Sequence, residues 1–131
     1  MGETLMAEAY VLVVDDDKMI LDLVTMRLET AGYKVTTATD AWQEVVQAHG
    51  LKIGLVITDI QMPGVGTGVD AFKKLRAASP NLPVIFMTGM KPDDARAMIP
   101  PDPRVRLISK PINFGDMQAA IKELTGVDRK L

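Results

Sequence analysis

Residues 10–17 of the chain are YVLVVDDD, a run of apolar residues followed at once by Asp15, Asp16 and Asp17. A continuous apolar run of this length, bounded by charged residues, is typical of a parallel strand that is buried on both faces. In an open sheet of parallel strands, ligands bind at the carboxyl ends of the strands. The stretch therefore predicts a buried strand that delivers three carboxylates to the ligand-binding edge of a sheet.

From residue 10 onward, short apolar runs alternate with longer segments of helical period. The chain contains five such β/α units. The further predicted strands are Lys34–Ala38, Leu55–Thr58, Val84–Thr88 and Val105–Ser109. The predicted helices are Lys18–Ala31, one opened by Asp40 and closed by Gly50, one through Ala71–Ala78, a short one at Asp93–Met98, and one beginning at Asn113. This alternation predicts an α/β fold with an open, doubly wound parallel sheet and helices on both of its faces.

Local signals mark where several of these helices begin and end. Asp17 and Asn113 precede apolar helical segments as N-cap residues, and we interpret Asp17 as a cap in preference to a metal ligand. Asp40 with Gln43 three residues later forms a capping box, and Gly32 is a typical C-terminal signal. These signals place the helices between the strands, as five β/α units require.

Composition excludes several classes of protein. The 131 residues, 47% of them apolar, suit one domain, and a net charge of −2 without a basic stripe predicts no direct nucleic-acid binding. The chain has no cysteine and a single histidine, His49, so any metal must be held by oxygen ligands. No apolar stretch approaches the ~20 residues that span a bilayer, and the N-terminus lacks a signal-peptide pattern, so we expect a cytoplasmic protein without membrane contact.

Polar residues end four of the predicted strands: Asp15 to Asp17, Asp59, Thr88 and Lys110. Crowded carboxylates with oxygen-only ligation suit a hard ion such as Mg²⁺. A lysine and a threonine at the same edge can bind phosphate oxygens. Because no histidine, cysteine or activated serine is near, the only nucleophile available is a carboxylate, which would form an acyl phosphate.

Four motifs, each at the end of the expected strand, carry a resemblance to a known family. They are residues 11–17 (VLVVDDD), 55–63 (LVITDIQMP), 84–89 (VIFMTG) and 107–111 (LISKP). In this order they resemble the receiver domain of two-component response regulators over nearly the whole chain. The resemblance implies a flavodoxin-like (βα)5 fold with strand order 2-1-3-4-5. With the receiver domain at 10–125, residues 1–9 are an N-terminal extension, and the polar composition of residues 126–131 predicts a C-terminal tail that frays.

The resemblance implies a role for each residue at the strand ends. Asp59 would accept a phosphoryl group from a phosphohistidine on a sensor histidine kinase or a histidine phosphotransfer protein. Thr88 and Lys110 would bind the phosphoryl oxygens, and Lys110-Pro111 would be a cis peptide. The domain would then switch its contacts with a downstream protein target, without being an enzyme beyond its own phosphorylation and dephosphorylation.

The resemblance also implies Mg²⁺ as the cofactor. Asp16 and Asp59 would bind the ion directly, together with the main-chain carbonyl of Gln61, and Asp15 would bind it through water. One departure concerns the switch, because Leu107 stands where the family often has a tyrosine or phenylalanine that swings inward behind the threonine.

Two alternatives stay open at this point. Asp15-x-Asp17 after the first strand also fits the nucleophile motif of haloacid-dehalogenase-like phosphohydrolases, although Met19 stands where that motif has threonine or valine. A pseudo-receiver that binds partners without phosphorylation is the other alternative, and it would be expected to have a broken acidic site. A chromogenic phosphate ester separates the first from a receiver, since only a hydrolase turns it over.

Overall fold

In the computed structural model, which describes residues 2–61 and 68–131, five parallel strands form one sheet with the order β2-β1-β3-β4-β5. The strands are β1 (Tyr10–Val14), β2 (Lys34–Ala38), β3 (Ile53–Asp59), β4 (Val84–Thr88) and β5 (Val105–Ser109). The doubly wound parallel sheet and its strand order are confirmed. Only β3 differs clearly from its predicted bounds, because it begins two residues earlier, at Ile53 instead of Leu55.

Six helices flank the sheet in the described part of the chain. They are α1 (Gly2–Glu8), α2 (Lys18–Thr30), α3 (Ala41–Gly50), α4 (Gly68–Ala78), α5 (Pro92–Met98) and α6 (Phe114–Thr125). The predicted caps are confirmed: Asp17 accepts from the N–H of Met19 at 3.0 Å, and Asp40 accepts from the N–H of Gln43 at 2.8 Å. None of these helices is long and apolar enough to cross a bilayer.

The alternation of side chains along each strand divides the core into two layers. Along β1, for example, Val11 and Val13 face one layer, and Leu12 and Val14 face the other. The first layer packs under α2 and α6, and the second packs under α3 and α4. Helices on both faces explain why the inner strands β1, β3 and β4 have continuous apolar runs before their polar carboxyl ends, instead of alternating.

The N-terminal segment is helical, which the sequence analysis did not predict. Met6 of α1 is 1% exposed and joins the core layer under α2 and α6. Gly54 of β3 lies directly beneath it, since a Cβ at that position would stand 2.9 Å from the Met6 sulfur. Helix α1 therefore covers the amino end of the sheet, opposite to the strand ends that carry the aspartates.

The expectation that residues 126–131 fray was wrong. Gly126 ends α6 with a φ of 78°, and this left-handed turn directs Val127 into the core, where it is fully buried. Arg129 then pairs with Glu3 of α1 at 2.6 Å and lies 4.5 Å from the centre of the Tyr33 ring. Although this segment is mostly polar, it is held to the domain by the buried Val127 and by the ion pair between Arg129 and Glu3.

Replacing Met6 by alanine should lower the free energy of unfolding by about 2–5 kcal/mol, the usual result of removing a large side chain from a packed core. Urea unfolding of wild type and Met6→Ala measures the difference. Leu5→Ala is the matched control, because Leu5 is 47% exposed and its removal should change stability by less than about 0.5 kcal/mol. Equal losses for the two variants would contradict the packing role of α1.

Candidate functional site

The register of the sheet places the predicted site residues side by side. Val14 of β1 pairs with Thr58 of β3, so Asp15 and Asp59 leave neighbouring strands at the same level. On the other side of β3, Asp59 pairs with Met87, so Thr88 ends β4 one residue beyond it. Thr88 pairs with Ser109, and Lys110 follows. The structure therefore brings the four predicted strand ends to one edge of the sheet.

Asp59 lies at the end of β3 and is 8% exposed. Its Oδ2 is 3.1 Å from Lys110 Nζ, and its Oδ1 accepts from the N–H of Gln61 at 3.2 Å. Burial raises the pKa of Asp59 above its ordinary value, while the ammonium of Lys110 and the Gln61 amide oppose that rise. Both contacts favour the ionised carboxylate, which is the form that a nucleophile requires.

Asp15 is fully buried beside Asp59. Its Oδ1 accepts from the N–H of Asp17 at 2.8 Å, and its Oδ2 is 2.8 Å from Lys110 Nζ. Burial by itself would lower the pKa of Lys110, but the carboxylates of Asp15 and Asp59 outweigh burial and raise that pKa. Lys110 therefore stays charged and holds two carboxylates that would otherwise repel each other.

Asp16 differs from its neighbours because its side chain is exposed. Carboxylate oxygens of Asp15, Asp16 and Asp59 nevertheless all lie within 4.8 Å of one another. Three hard oxygen donors, one of them open to solvent, are a ligand set that suits Mg²⁺, which binds proteins through one or two carboxylates and keeps several waters. The cluster therefore fits the cofactor that the sequence predicted.

Thr88 is 1% exposed at the end of β4. Its hydroxyl accepts from the N–H of Met90 at 3.0 Å, and its carbonyl accepts from the N–H of Lys110 at 2.7 Å. Within residues 2–61 and 68–131, the Thr88 side chain has no hydrogen bond to Asp59 or Lys110. The structure thus places Thr88 at the correct edge but holds its hydroxyl on its own loop.

The structure also places most of the other residues that the sequence singled out near the site. The peptide between Lys110 and Pro111 is cis, as expected. His49 lies exposed in the last turn of α3, and Leu107 is partly buried against the core layer under α3 and α4. Met62 and Pro63, which carry part of the second motif, lie outside the described residues.

Sequence reasoning missed one buried acid, Glu44 of α3, which is fully inaccessible to solvent. Its Oε2 lies 3.3 Å from the hydroxyl of Thr58, the residue before Asp59. Burial raises the pKa of Glu44 to about 8, with the Thr58 hydrogen bond opposing the change. The signal in the sequence was its position, because Glu44 is three residues after Ala41 and directly before Val45 on the apolar side of the helix.

A family model described as the response regulator receiver domain matches residues 11–122 of the chain. Among curated proteins, the probable transcriptional regulatory protein TcrX of Mycobacterium tuberculosis is 36% identical over 78 residues, which are 60% of this chain and 33% of TcrX. The transcriptional regulatory protein FixJ of Bradyrhizobium diazoefficiens is 33% identical over 82 residues, 63% of this chain and 40% of FixJ. The chain therefore matches less than half the length of either relative.

Solved structures include close matches to the fold. The chemotaxis protein CheY4 of Vibrio cholerae superposes with a TM-score of 0.76 at 28% identity, over 88% of this chain and 98% of that chain. The structural similarity therefore extends over most of this chain and nearly all of the CheY4 chain.

Mg²⁺ should raise the melting temperature of the protein, because a ligand that binds only the native state stabilises it. At a concentration ten times the Kd, the gain is about 1.4 kcal/mol, or roughly 5 °C for a domain of this size. Asp16→Ala should remove most of this response in a thermal-shift titration. Asp22→Ala, an exposed acid on α2, should keep it, and equal responses from the two variants would exclude Asp16 as a ligand.

Proposed function

Because the chain belongs to the response regulator receiver domain family, we propose that Asp59 accepts a phosphoryl group from a phosphohistidine of a partner protein. The observation that carries the proposal is the contact of Asp59 Oδ2 with Lys110 Nζ at 3.1 Å, next to the two other carboxylates of the cluster. A carboxylate nucleophile, a cation and a set of metal ligands within one small volume suit phosphoryl transfer better than they suit a structural ion pair.

In the proposed reaction, an oxygen of Asp59 attacks the phosphorus of the phosphohistidine. The new bond is an acyl phosphate, and the phosphorus–nitrogen bond breaks with its electron pair passing to the imidazole nitrogen, which takes up a proton. Lys110 is placed to balance the charge of the phosphoryl group, since it already lies against the carboxylate that would carry it. We propose that Thr88 binds a phosphoryl oxygen after its hydroxyl turns away from Met90.

The cofactor in this proposal is Mg²⁺, which would neutralise charge on the transferring phosphoryl group. Asp16 and Asp59 would hold the ion directly, together with the main-chain carbonyl of Gln61, and Asp15 would hold it through water. Asp15 suits the indirect position because its Oδ1 accepts a hydrogen bond from the Asp17 amide and its Oδ2 is in an ion pair with Lys110. Asp16, by contrast, is exposed and open to an ion from solvent.

We propose that residues 10–125 carry this function and that the domain catalyses only its own phosphorylation and dephosphorylation, in the cytoplasm. Phosphorylation would act by changing contacts with a downstream protein, and the domain would bind neither nucleic acid nor a membrane directly. The net charge of −2 and the absence of a basic stripe support a protein target for this domain over a nucleic acid.

The exposed side of α2 is the proposed contact surface for the phosphohistidine partner. Met19, Leu23 and Met26 are 82%, 40% and 55% exposed, and their spacing places them along one side of the helix. Helix α2 begins at Lys18, immediately after the three aspartates, so this apolar stripe starts beside the site. A partner helix that covers the stripe would bring its histidine toward Asp59.

Acetyl phosphate with Mg²⁺ should add one phosphoryl group to the protein, and Asp59→Asn should abolish the gain in mass seen by intact-protein mass spectrometry. Asp17→Asn is the matched control, because asparagine preserves the helix cap and Asp17 lies outside the proposed site. Full phosphorylation of Asp59→Asn would refute the assignment. Steady turnover of a chromogenic phosphate ester by wild type would instead favour a phosphohydrolase.

Met26→Glu should reduce phosphotransfer from a sensor kinase about tenfold, since a charge at the centre of an apolar contact costs about 1.4 kcal/mol or more. The donor is whichever kinase of the source organism phosphorylates wild type fastest in a short-time assay. Val46→Glu, at a 65% exposed position on α3, should transfer normally, and both variants should react normally with acetyl phosphate. Normal transfer to Met26→Glu would exclude α2 as the contact surface.

A further inference from the structure

Glu44 lies in a part of the core where an ionised carboxylate is energetically unfavourable. It is fully buried in the layer under α3 and α4, next to Ala41 and Val45 of its own helix. Its Oε1 has no hydrogen-bond partner in the described part of the chain, and its Oε2 has one, the hydroxyl of Thr58. A pKa raised by burial to about 8 means that this carboxyl group carries a proton at neutral pH.

Among residues 2–61 and 68–131, Glu44 has no charged partner, and Lys74 of α4 contacts α3 at the ring of Trp42, 3.7 Å from its centre. The residues that β1 and β2 contribute to this layer are the apolar Leu12, Val14 and Ala38, and β3 contributes Val56 and Thr58. On α4, the residues turned to the layer are apolar, while the charged Asp70, Lys73 and Lys74 are exposed. Burial raises the pKa of Glu44, and a hydrogen bond from the Thr58 hydroxyl to the ionised carboxylate opposes that rise.

Thr58 connects Glu44 to the main chain of Asp59. The Thr58 hydroxyl lies 3.3 Å from Glu44 Oε2 and 3.1 Å from the carbonyl oxygen of Asp59. A hydroxyl has one proton to donate, and a carbonyl can only accept. Both hydrogen bonds can therefore form together only when Glu44 supplies a proton to Thr58 and Thr58 donates its own to Asp59.

The Asp59 carbonyl oxygen also has a close neighbour at the start of α4. Gly68, the first residue of α4, packs so closely against this oxygen that a Cβ would overlap it. The carbonyl side of the peptide that follows Asp59 thus contacts the Thr58 hydroxyl and the start of α4, and its N–H side, the Ile60 amide, donates to the Met87 carbonyl at 3.2 Å. The next peptide along the chain carries the Gln61 N–H, which donates to the Asp59 carboxylate.

We propose that Glu44 is a positioning residue for phosphoryl transfer: as a neutral acid it donates to Thr58, which leaves the Thr58 proton free to hold the carbonyl of Asp59. The proposal rests on the proposed function of Asp59. Ionisation of Glu44 reverses the arrangement, because the Thr58 proton then turns to the buried charge and the Asp59 carbonyl loses its donor. Phosphorylation therefore slows as the pH rises through the titration of Glu44.

The test compares initial rates of phosphorylation by acetyl phosphate, with saturating Mg²⁺, between pH 6.5 and pH 9 by intact-protein mass spectrometry. The wild-type rate should fall about fivefold across this range, the effect of one hydrogen bond. Glu44→Gln should give a flat profile, because an amide can donate to Thr58 and cannot ionise. Glu29→Gln, at an exposed acid on α2, should keep the wild-type profile.

Two variants of Thr58 provide an independent readout that does not depend on the stability of Glu44→Gln. Thr58→Ser keeps the hydroxyl and should keep the fall with pH, whereas Thr58→Val should show the slow rate at every pH. A wild-type profile as flat as that of Glu44→Gln, or a Thr58→Val rate equal to wild type below pH 7, overturns the proposed role of Glu44. Either result leaves the proposed function of Asp59 standing. A wild type that is not phosphorylated at any pH overturns the function of Asp59 and this inference with it.

Discussion

Two buried carboxylates that share one ammonium are the constraint on which the site depends. Asp15 and Asp59 follow adjacent strands, and in the described part of the chain Lys110 is the cation that pairs with both of them, at 2.8 and 3.1 Å. Lys110 follows β5, which is two strands away from β3, or roughly 10 Å at the usual strand spacing. Its side chain has to cross the end of β4, which explains why a short, internally bonded residue, Thr88, lies there.

The same constraint explains what the site can accept. An ammonium fixed between two carboxylates leaves one net negative charge, and Asp16 adds a second from the exposed side of the cluster. A divalent cation reduces that excess, and a phosphoryl group then brings negative charge back against Lys110. The arrangement therefore suits a cation and a phosphoryl group bound together better than either bound alone.

Strand β3 joins the site to the second core layer through the alternation of its side chains. Asp59 faces the cluster of charges, while Thr58, one residue earlier, points into the layer under α3 and α4 and meets Glu44. A change of protonation in an apolar layer is thus one peptide away from the proposed phosphoacceptor. At the opposite end of the sheet, Met6 and Val127 close the core with the two ends of the chain, far from this chemistry.

Much of the fold followed from the sequence, because apolar runs and capping residues act locally. Four of the five strands have their predicted bounds, and Asp17, Asp40 and Asn113 cap the helices that they were predicted to cap. The N-terminal helix was missed because a segment of seven residues is too short to show a helical period in the sequence. Its stability comes from contacts of Met6 with β3. The docking of residues 126–131 was missed for the same reason, as it depends on one apolar residue and a partner at the other end of the chain.

By itself, the sequence determined which residues stand at the carboxyl ends of the strands, because strand ends are marked by the change from apolar to polar residues. Only the tertiary structure decided how they share charge: that Lys110 reaches two carboxylates, that Asp16 is exposed while Asp15 is buried, and that the Thr88 hydroxyl is held by its own loop. It also decided the environment of Glu44, which the helical spacing puts on the apolar side of α3 and which only the packing of the core shows to be fully buried. Distances and burial depend on packing between segments far apart in the chain, and no local pattern contains them.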